Sequence, residues 1–295
     1  MMTFANYMKE KKDQIDRNLR TLLQTDIPQF STLYKAMNYS LMAGGKRIRP
    51  ILLLATLEAL GKDSTPYVSL ACALECVHSY SLIHDDLPAM DNDDLRRGKP
   101  TNHVVFGEGT AILAGDGLLT YAFELMARQQ QIASEKLVQC MAVFAHAAGP
   151  AGMVGGQAFD LESEGNLHIG KKGLELLHYA KTGVIFKAAI ELAALLGDAS
   201  EDEKNMLDTY AVYMGLTFQI TDDILDVIGD ESVIGKPVGS DQKNDKATYV
   251  TIFSLEEAKR MAKEAAQKAI DAISPLGEAA WFLRELVSYM LVRTK

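Results

Sequence analysis

Apolar residues along this chain recur at intervals of three and four, the period of a helix, and almost nowhere at intervals of two. This spacing predicts helices near residues 4–24, 31–43, 49–60, 66–86, 109–130, 134–162, 171–197, 201–228, 254–273 and 276–294. Ser200 with Glu203, and Ser254 with Glu257, fit capping boxes at two of the starts. Proline is scarce, at eight residues, and neither a strand pattern nor a Gly/Ser linker is visible. The expected fold is therefore all-α, a single domain over 1–295 with a buried central helical layer. Two long connections interrupt the pattern, Leu87 to Val104 and Gly229 to Thr248. Loops of that length in a compact domain are usually functional lids or disordered segments.

Both connections directly follow an acidic cluster. The first cluster is His84-Asp85-Asp86-Leu87-Pro88-Ala89-Met90-Asp91, and the second is Gln219-Ile220-Thr221-Asp222-Asp223-Ile224-Leu225-Asp226. Each sets three carboxylates at the end of an apolar stretch, where unpaired charge resists burial. A solvated acidic helix end is the plain alternative for either cluster alone. Asp222 and Asp226, four apart, share one helix face, and like charges there repel unless a cation neutralises them. Pro88 cannot continue a regular helix, so a break there would fold Asp91 back toward Asp85. Clustered hard oxygen ligands suit Mg²⁺, which commonly carries phosphate as its remaining ligand. The pair of clusters thus suggests a diphosphate held through metal.

Metal alone leaves the basic residues unexplained. Gly44-Gly45-Lys46-Arg47-Ile48-Arg49-Pro50 frees the backbone and lets Lys46 and Arg49 converge on one anion, unless it is simply a basic loop before a helix. His78 lies two helical turns before Asp85 on nearly the same face. With Arg97 these residues make a metal-free diphosphate site, for which the planar guanidinium is well shaped. Lys181-Thr182-Gly183 sits inside an apolar helix and suggests a local weakening of it. Gly152-Met153-Val154-Gly155-Gly156-Gln157 either opens room within its helix or allows close helix packing.

Bulk properties narrow the classes. The 295 residues are 48% hydrophobic and 23% charged, an ordinary soluble composition, and the net charge of −9 argues against nucleic acid as a partner. The same charge means that local cations must bind any anionic substrate. Cys72, Cys76 and Cys140 form no metal-type spacing and read as buried, reduced thiols. The N-terminal residues carry no apolar signal core, and no apolar run is long enough to span a bilayer, so a cytoplasmic location is expected.

In combination, residues 44–50, Ser81 to Asp91, Leu95-Arg96-Arg97-Gly98-Lys99-Pro100-Thr101, Gly152 to Gln157, Lys181-Thr182, Phe218 to Asp226 and Gly235-Lys236 resemble the trans-isoprenyl diphosphate synthase family. The likeness is to its bacterial farnesyl diphosphate synthase (geranyltranstransferase) type. Four residues between Asp86 and Asp91, rather than two, fit the bacterial and plastid forms. The resemblance implies an isoprenoid-synthase helical bundle around a central cavity, usually a homodimer. It implies a prenyltransferase that condenses isopentenyl diphosphate with dimethylallyl or geranyl diphosphate to give farnesyl diphosphate (C15). It also implies that Asp85, Asp86, Asp91, Asp222, Asp223 and Asp226 bind Mg²⁺, three ions per site with Mn²⁺ as a possible substitute. Isopentenyl diphosphate falls to Gly45, Lys46, Arg49, His78 and Arg97. The allylic diphosphate falls to Arg96, Lys181, Thr182, Gln219, Lys236 and Lys246, of which Lys181, Thr182, Gln219 and Lys236 are also the catalytic candidates. Tyr80 and Ser81, one turn before Asp85, are placed to set chain length. The alternatives are a geranylgeranyl diphosphate synthase (C20), a non-catalytic prenyltransferase-like subunit, and a terpene cyclase, which needs no second diphosphate site.

Overall fold

The computed structural model describes residues 2–163, 170–228 and 247–292. Its elements are helices α1 (Phe4–Leu22), α2 (Ser31–Leu41), α3 (Ile48–Ala59) and α4 (Val68–Asp85), then strands β1 (Leu95–Arg96) and β2 (Lys99–Pro100). Helices α5 (Asn102–Phe106), α6 (Glu108–Ala127), α7 (Ser134–Ala148), α8 (Met153–Ser163), α9 (Gly170–His178), α10 (Val184–Leu196) and α11 (Glu201–Ile228) follow. The chain closes with α12 (Tyr249–Phe253), α13 (Leu255–Ala272) and α14 (Trp281–Val292). The fold is all-α, as the helical period requires. The residues divide into two compact units, Met1–Leu54 with Ser64–Leu137, and Ala55–Asp63 with Val138–Lys295.

In the first unit α4 is buried on nearly all sides, from Val68 to Ile83, so no amphipathic stripe marks it. It packs against α6, which offers Ala111, Ala114, Gly115 and Leu118 as a low surface. One buried cation organises this unit. Arg47 donates from Nε to Asp16 (2.8 Å), from one terminal nitrogen to Glu75 (2.6 Å) and from the other to the Leu41 carbonyl (2.8 Å). Burial raises the Asp16 carboxyl, but Lys12 and Arg47 more than offset it and hold the group below the usual range. Arg47 itself sits at φ 55°, after Gly44 and Gly45 at 108° and 119°, so the loop reverses through conformations that side chains resist.

In the second unit α11 packs on α10, α13 and α14. Its apolar face meets Leu174, Tyr249, Ala258 and Ala262 in one core cluster. Ser200 and Glu203 form the expected reciprocal cap at the start of α11. Ser254 caps α13 through the Glu257 amide, and an unforeseen capping box, Thr248 with Thr251, starts α12.

Four expectations are corrected. The helix foreseen over 134–162 is two helices, because Gly149, Pro150, Ala151 and Gly152 form a turn. Ser134–Ser163 is long and apolar enough in composition to cross a bilayer, yet that turn divides it and Asp160 within it is ion-paired. The helix foreseen over 171–197 passes through a π-helical turn at Tyr179–Gly183. The last helix begins at Trp281, since residues 274–280 form a 3-10 segment kinked at Gly277 (φ 60°). Finally, the Leu87–Val104 connection is ordered structure: a two-stranded hairpin and then α5.

Arg47→Met should lower unfolding free energy by about 3–5 kcal/mol, because Glu75 is left charged and buried without its partner. Adding Glu75→Leu should restore much of the loss. Urea denaturation of the two variants checks this, and a loss below about 1 kcal/mol for Arg47→Met alone would contradict the clamp.

Candidate active site

The first acidic cluster sits where α4 ends. The helix stops at Asp85, and the Asp91 amide donates back to the Asp85 carbonyl (2.9 Å), so the fold-back expected from Pro88 is present. Asp85 and Asp91 are half-buried, whereas Asp86 is only 3% exposed. Asp86 is already partnered: Arg96 reaches it from Nε and from a terminal nitrogen, both at 2.6 Å. Burial lifts the Asp86 carboxyl above its ordinary range, and the Arg96 bond opposes the lift.

The hairpin explains how Arg96 arrives there. Its two-residue turn uses Arg97 (φ 53°) and Gly98 (φ 72°), the twist that matches paired strands. Three bonds hold the hairpin and its exit to α2: Tyr39 hydroxyl to the Pro100 carbonyl (2.7 Å), and Asn102 Nδ2 to the Ala36 carbonyl and Ser40 Oγ (2.8 Å each). Arg97, next in sequence, donates instead to the Gly44 carbonyl. A Cβ on Gly45 would lie 2.8 Å from the Arg97 guanidinium, so the glycine makes room for that contact. The Gly44–Arg49 loop and the hairpin therefore meet.

His78 reports the resulting field. It is held well below the usual imidazole value by burial first and then by Arg49, Arg97, Arg96 and Arg47. Four guanidiniums around a neutral histidine is an arrangement that favours an anion. Tyr80, 6% exposed, lies on α4 between His78 and Asp85. Burial, then the Asp85 charge, pushes its phenol up to about 12. Ser81 turns its hydroxyl to the His78 carbonyl (2.9 Å).

In the second unit, Lys181 and Thr182 ride on the π turn, an irregularity often found at functional sites. Gly156 is why the turn fits: a Cβ there would lie 2.3 Å from the Lys181 amide nitrogen. Of the two readings of the glycine run, close packing is the correct one at this position. Lys181 Nζ bonds Asp160 Oδ2 at 2.5 Å. Asp160, at 7% exposure, went unread in sequence; its place three residues after Gln157 on α8 was the available signal.

The second acidic cluster closes α11. Asp222 is half-buried, and Asp223 and Asp226 are buried. Asp223 accepts from Gln219 Nε2 and from the Tyr249 amide, each at 2.8 Å. The first bond fixes the Gln219 amide so that its oxygen turns away from the carboxylate. His178 stacks on Tyr249 (5.5 Å, 20°) with Nε2 3.6 Å from Asp223. Burial lowers this imidazole to about 4. Lys236 and Lys246 lie outside the described residues, as does the tail 293–295.

Among the described residues no three His, Cys, Asp or Glu side chains gather as a ready-made metal site. The donor set still fits Mg²⁺, which is typically bound through one or two carboxylates with phosphate completing its shell. Asp85, Asp91 and Asp222, half-buried, and Asp226, buried, are carboxylates at the two helix ends that could contribute oxygens to it.

Comparison with known proteins agrees with this chemistry. Residues 30–279 match the polyprenyl synthetase family. A farnesyl diphosphate synthase of Geobacillus stearothermophilus is 48% identical over 97% of this chain and 98% of its own. A geranylgeranyl diphosphate synthase of Cyanophora paradoxa is 45% identical over 90% of this chain and 89% of its own. The crystal structure of geranylgeranyl pyrophosphate synthetase from Pyrococcus horikoshii superposes with a TM-score of 0.89 at 33% identity, covering 98% of both chains.

The two buried neutral histidines give a pH signature. Unfolded imidazoles take protons near 6.5, whereas folded His178 takes one only near 4, so the unfolded state binds more protons below pH 6.5 and stability falls as pH falls through that window. Between pH 7 and pH 5 His178 should account for about 2 kcal/mol of lost stability. Urea midpoints should show a smaller drop in His178→Phe; an unchanged drop contradicts the assignment.

Proposed function

The chain belongs to the polyprenyl synthetase family, and from that premise we propose that it is a short-chain trans-prenyltransferase, a farnesyl diphosphate synthase. It condenses isopentenyl diphosphate with dimethylallyl or geranyl diphosphate to give the C15 product. The observation that carries this reading is the division of labour among charges. Guanidiniums act on buried His78, which suits one diphosphate, and half-buried carboxylates stand at helix ends, which suits metal with the other.

Isopentenyl diphosphate is assigned to Gly45, Lys46, Arg49, His78 and Arg97. The allylic diphosphate is assigned to Arg96, Lys181, Thr182 and Gln219, with Lys236 and Lys246 assigned on sequence alone. Three Mg²⁺, with Mn²⁺ as a substitute, would be held by Asp85, Asp86, Asp91, Asp222, Asp223 and Asp226. When bound, Mg²⁺ neutralises the diphosphate and the charge that grows on it as it leaves. Lys181, fixed by Asp160, adds a cation to the same group. Gln219, its amide held by Asp223, offers its oxygen dipole to the allylic carbon as positive charge develops there. Arg49, Arg97 and Lys46 hold the second diphosphate without metal, so that it stays intact while its double bond attacks. The proton lost afterwards passes to the departed pyrophosphate. We further assign the whole chain to one catalytic domain, a homodimer and a cytoplasmic location, the last in keeping with three free, buried thiols.

Tyr80 favours C15 over the C20 alternative. A growing prenyl chain whose diphosphate sits beyond Asp85 runs back along α4, and the buried Tyr80 ring lies roughly 7 Å down that axis. Tyr80→Ala should yield C20 or longer products by chromatography; an active variant that still stops at C15 removes this basis for length control.

The two kinds of diphosphate site separate by variant. Asp222→Ala should cut turnover at least about a hundredfold and raise the Mg²⁺ concentration for half activity. Arg49→Ala should raise KM for isopentenyl diphosphate while leaving the Mg²⁺ requirement unchanged. Equal shifts of both substrates in both variants would refute the division.

A further inference from the structure

We propose that His84 is a specificity-determining residue that acts through Tyr80: its imidazole, locked against α6, holds the tyrosine ring at the attitude that stops chain growth. The inference rests on the farnesyl reading and adds to it a second layer behind the ring.

Tyr80 and His84 are four apart on α4 and share a face. Their rings meet edge to face, with centroids 5.6 Å apart and planes at 85°. His84 in turn has little freedom. Its Nε2 lies 3.0 Å from the Ile112 carbonyl, so that nitrogen carries the proton and donates. A Cβ built on Gly115 would fall 2.1 Å from Nε2 and 2.4 Å from Cδ2. The imidazole therefore occupies the volume that a side chain at position 115 would take. Glycine there is a slot in α6 cut to the ring, and the Ile112 carbonyl is its latch.

The consequence reaches the substrate through packing alone. A tyrosine facing a lengthening apolar chain is pushed sideways, and it resists only as far as its neighbours are fixed. On the Asp85 side the neighbour is His84, which the Gly115 slot and the Ile112 carbonyl hold against α6. Remove the imidazole and the Tyr80 ring gains room to turn aside, admitting a longer chain beside it. Asp116, 3.9 Å from Nε2, lies beyond hydrogen-bond reach and adds no latch of its own.

The test reads product length, which does not depend on how much enzyme folds. Full-length protein is incubated with isopentenyl and geranyl diphosphates and Mg²⁺, and the ratio of C20 to C15 products is measured. His84→Ala should raise the ratio about five- to tenfold, the scale set by losing one aromatic pair contact. His84→Phe, which keeps a ring in the slot, should stay near wild type. Gly115→Ala, which expels the ring while leaving every polar side chain in place, should raise the ratio as His84→Ala does. Gly115→Ala combined with His84→Ala should go no further than His84→Ala alone. An active His84→Ala or Gly115→Ala enzyme with the wild-type ratio, while Tyr80→Ala makes C20, overturns the inference and leaves the farnesyl reading standing. A wild-type enzyme that makes no C15 at all overturns both.

Discussion

The contact between Arg96 and Asp86 is the joint from which the cationic half of the site is hung. A carboxylate 3% exposed at a helix end would be costly alone, and the guanidinium that reaches it from two nitrogens makes it tenable. That bond fixes the hairpin against α4. The hairpin then delivers Arg97 to the Gly44 carbonyl, and the glycine loop leads into Arg49, whose charge acts on His78. Behind the loop, each of the three Arg47 nitrogens donates inward, to Asp16, Glu75 and the Leu41 carbonyl. Arg47 and Arg96 thus pair with protein carboxylates, while Arg49 and Arg97 add their charge around His78.

The second unit uses the same physics with the signs exchanged. Lys181 is steadied by Asp160, and Asp223 is steadied by Gln219 and the Tyr249 amide. The π turn that carries Lys181 exists because Gly156 lets α8 approach its backbone closely. In both units protein partners hold charged groups in fixed positions. Electrostatic catalysis requires this, since a charged group that must reorganise during the reaction stabilises the transition state less.

Much of this was legible in the sequence. The helical period placed α1 to α4 and α11 within a few residues, and Pro88 foretold the fold-back of Asp91 onto Asp85. Lys181-Thr182-Gly183 marked a weakened helix, which proved to be the π turn. What stayed hidden depends on partners distant in the chain. Asp160, Glu75 and Asp16 look like ordinary helical acids until their cations are seen in space. The hairpin of 95–100 is too short for an alternating pattern, and its turn signal, Arg97-Gly98, has a bulky first residue at positive φ. The break between α7 and α8 was masked by continuous apolar character on either side of Gly149-Pro150.

The most direct measurement is one incubation of the purified chain with isopentenyl and geranyl diphosphates, with Mg²⁺ and with a chelator. Farnesyl diphosphate and pyrophosphate should form in equal amounts with Mg²⁺, no product should form with the chelator, and both should return when Mg²⁺ is restored. Unchanged product under chelation, or geranyl diphosphate merely hydrolysed to its alcohol in the presence of isopentenyl diphosphate, would contradict the proposed reaction.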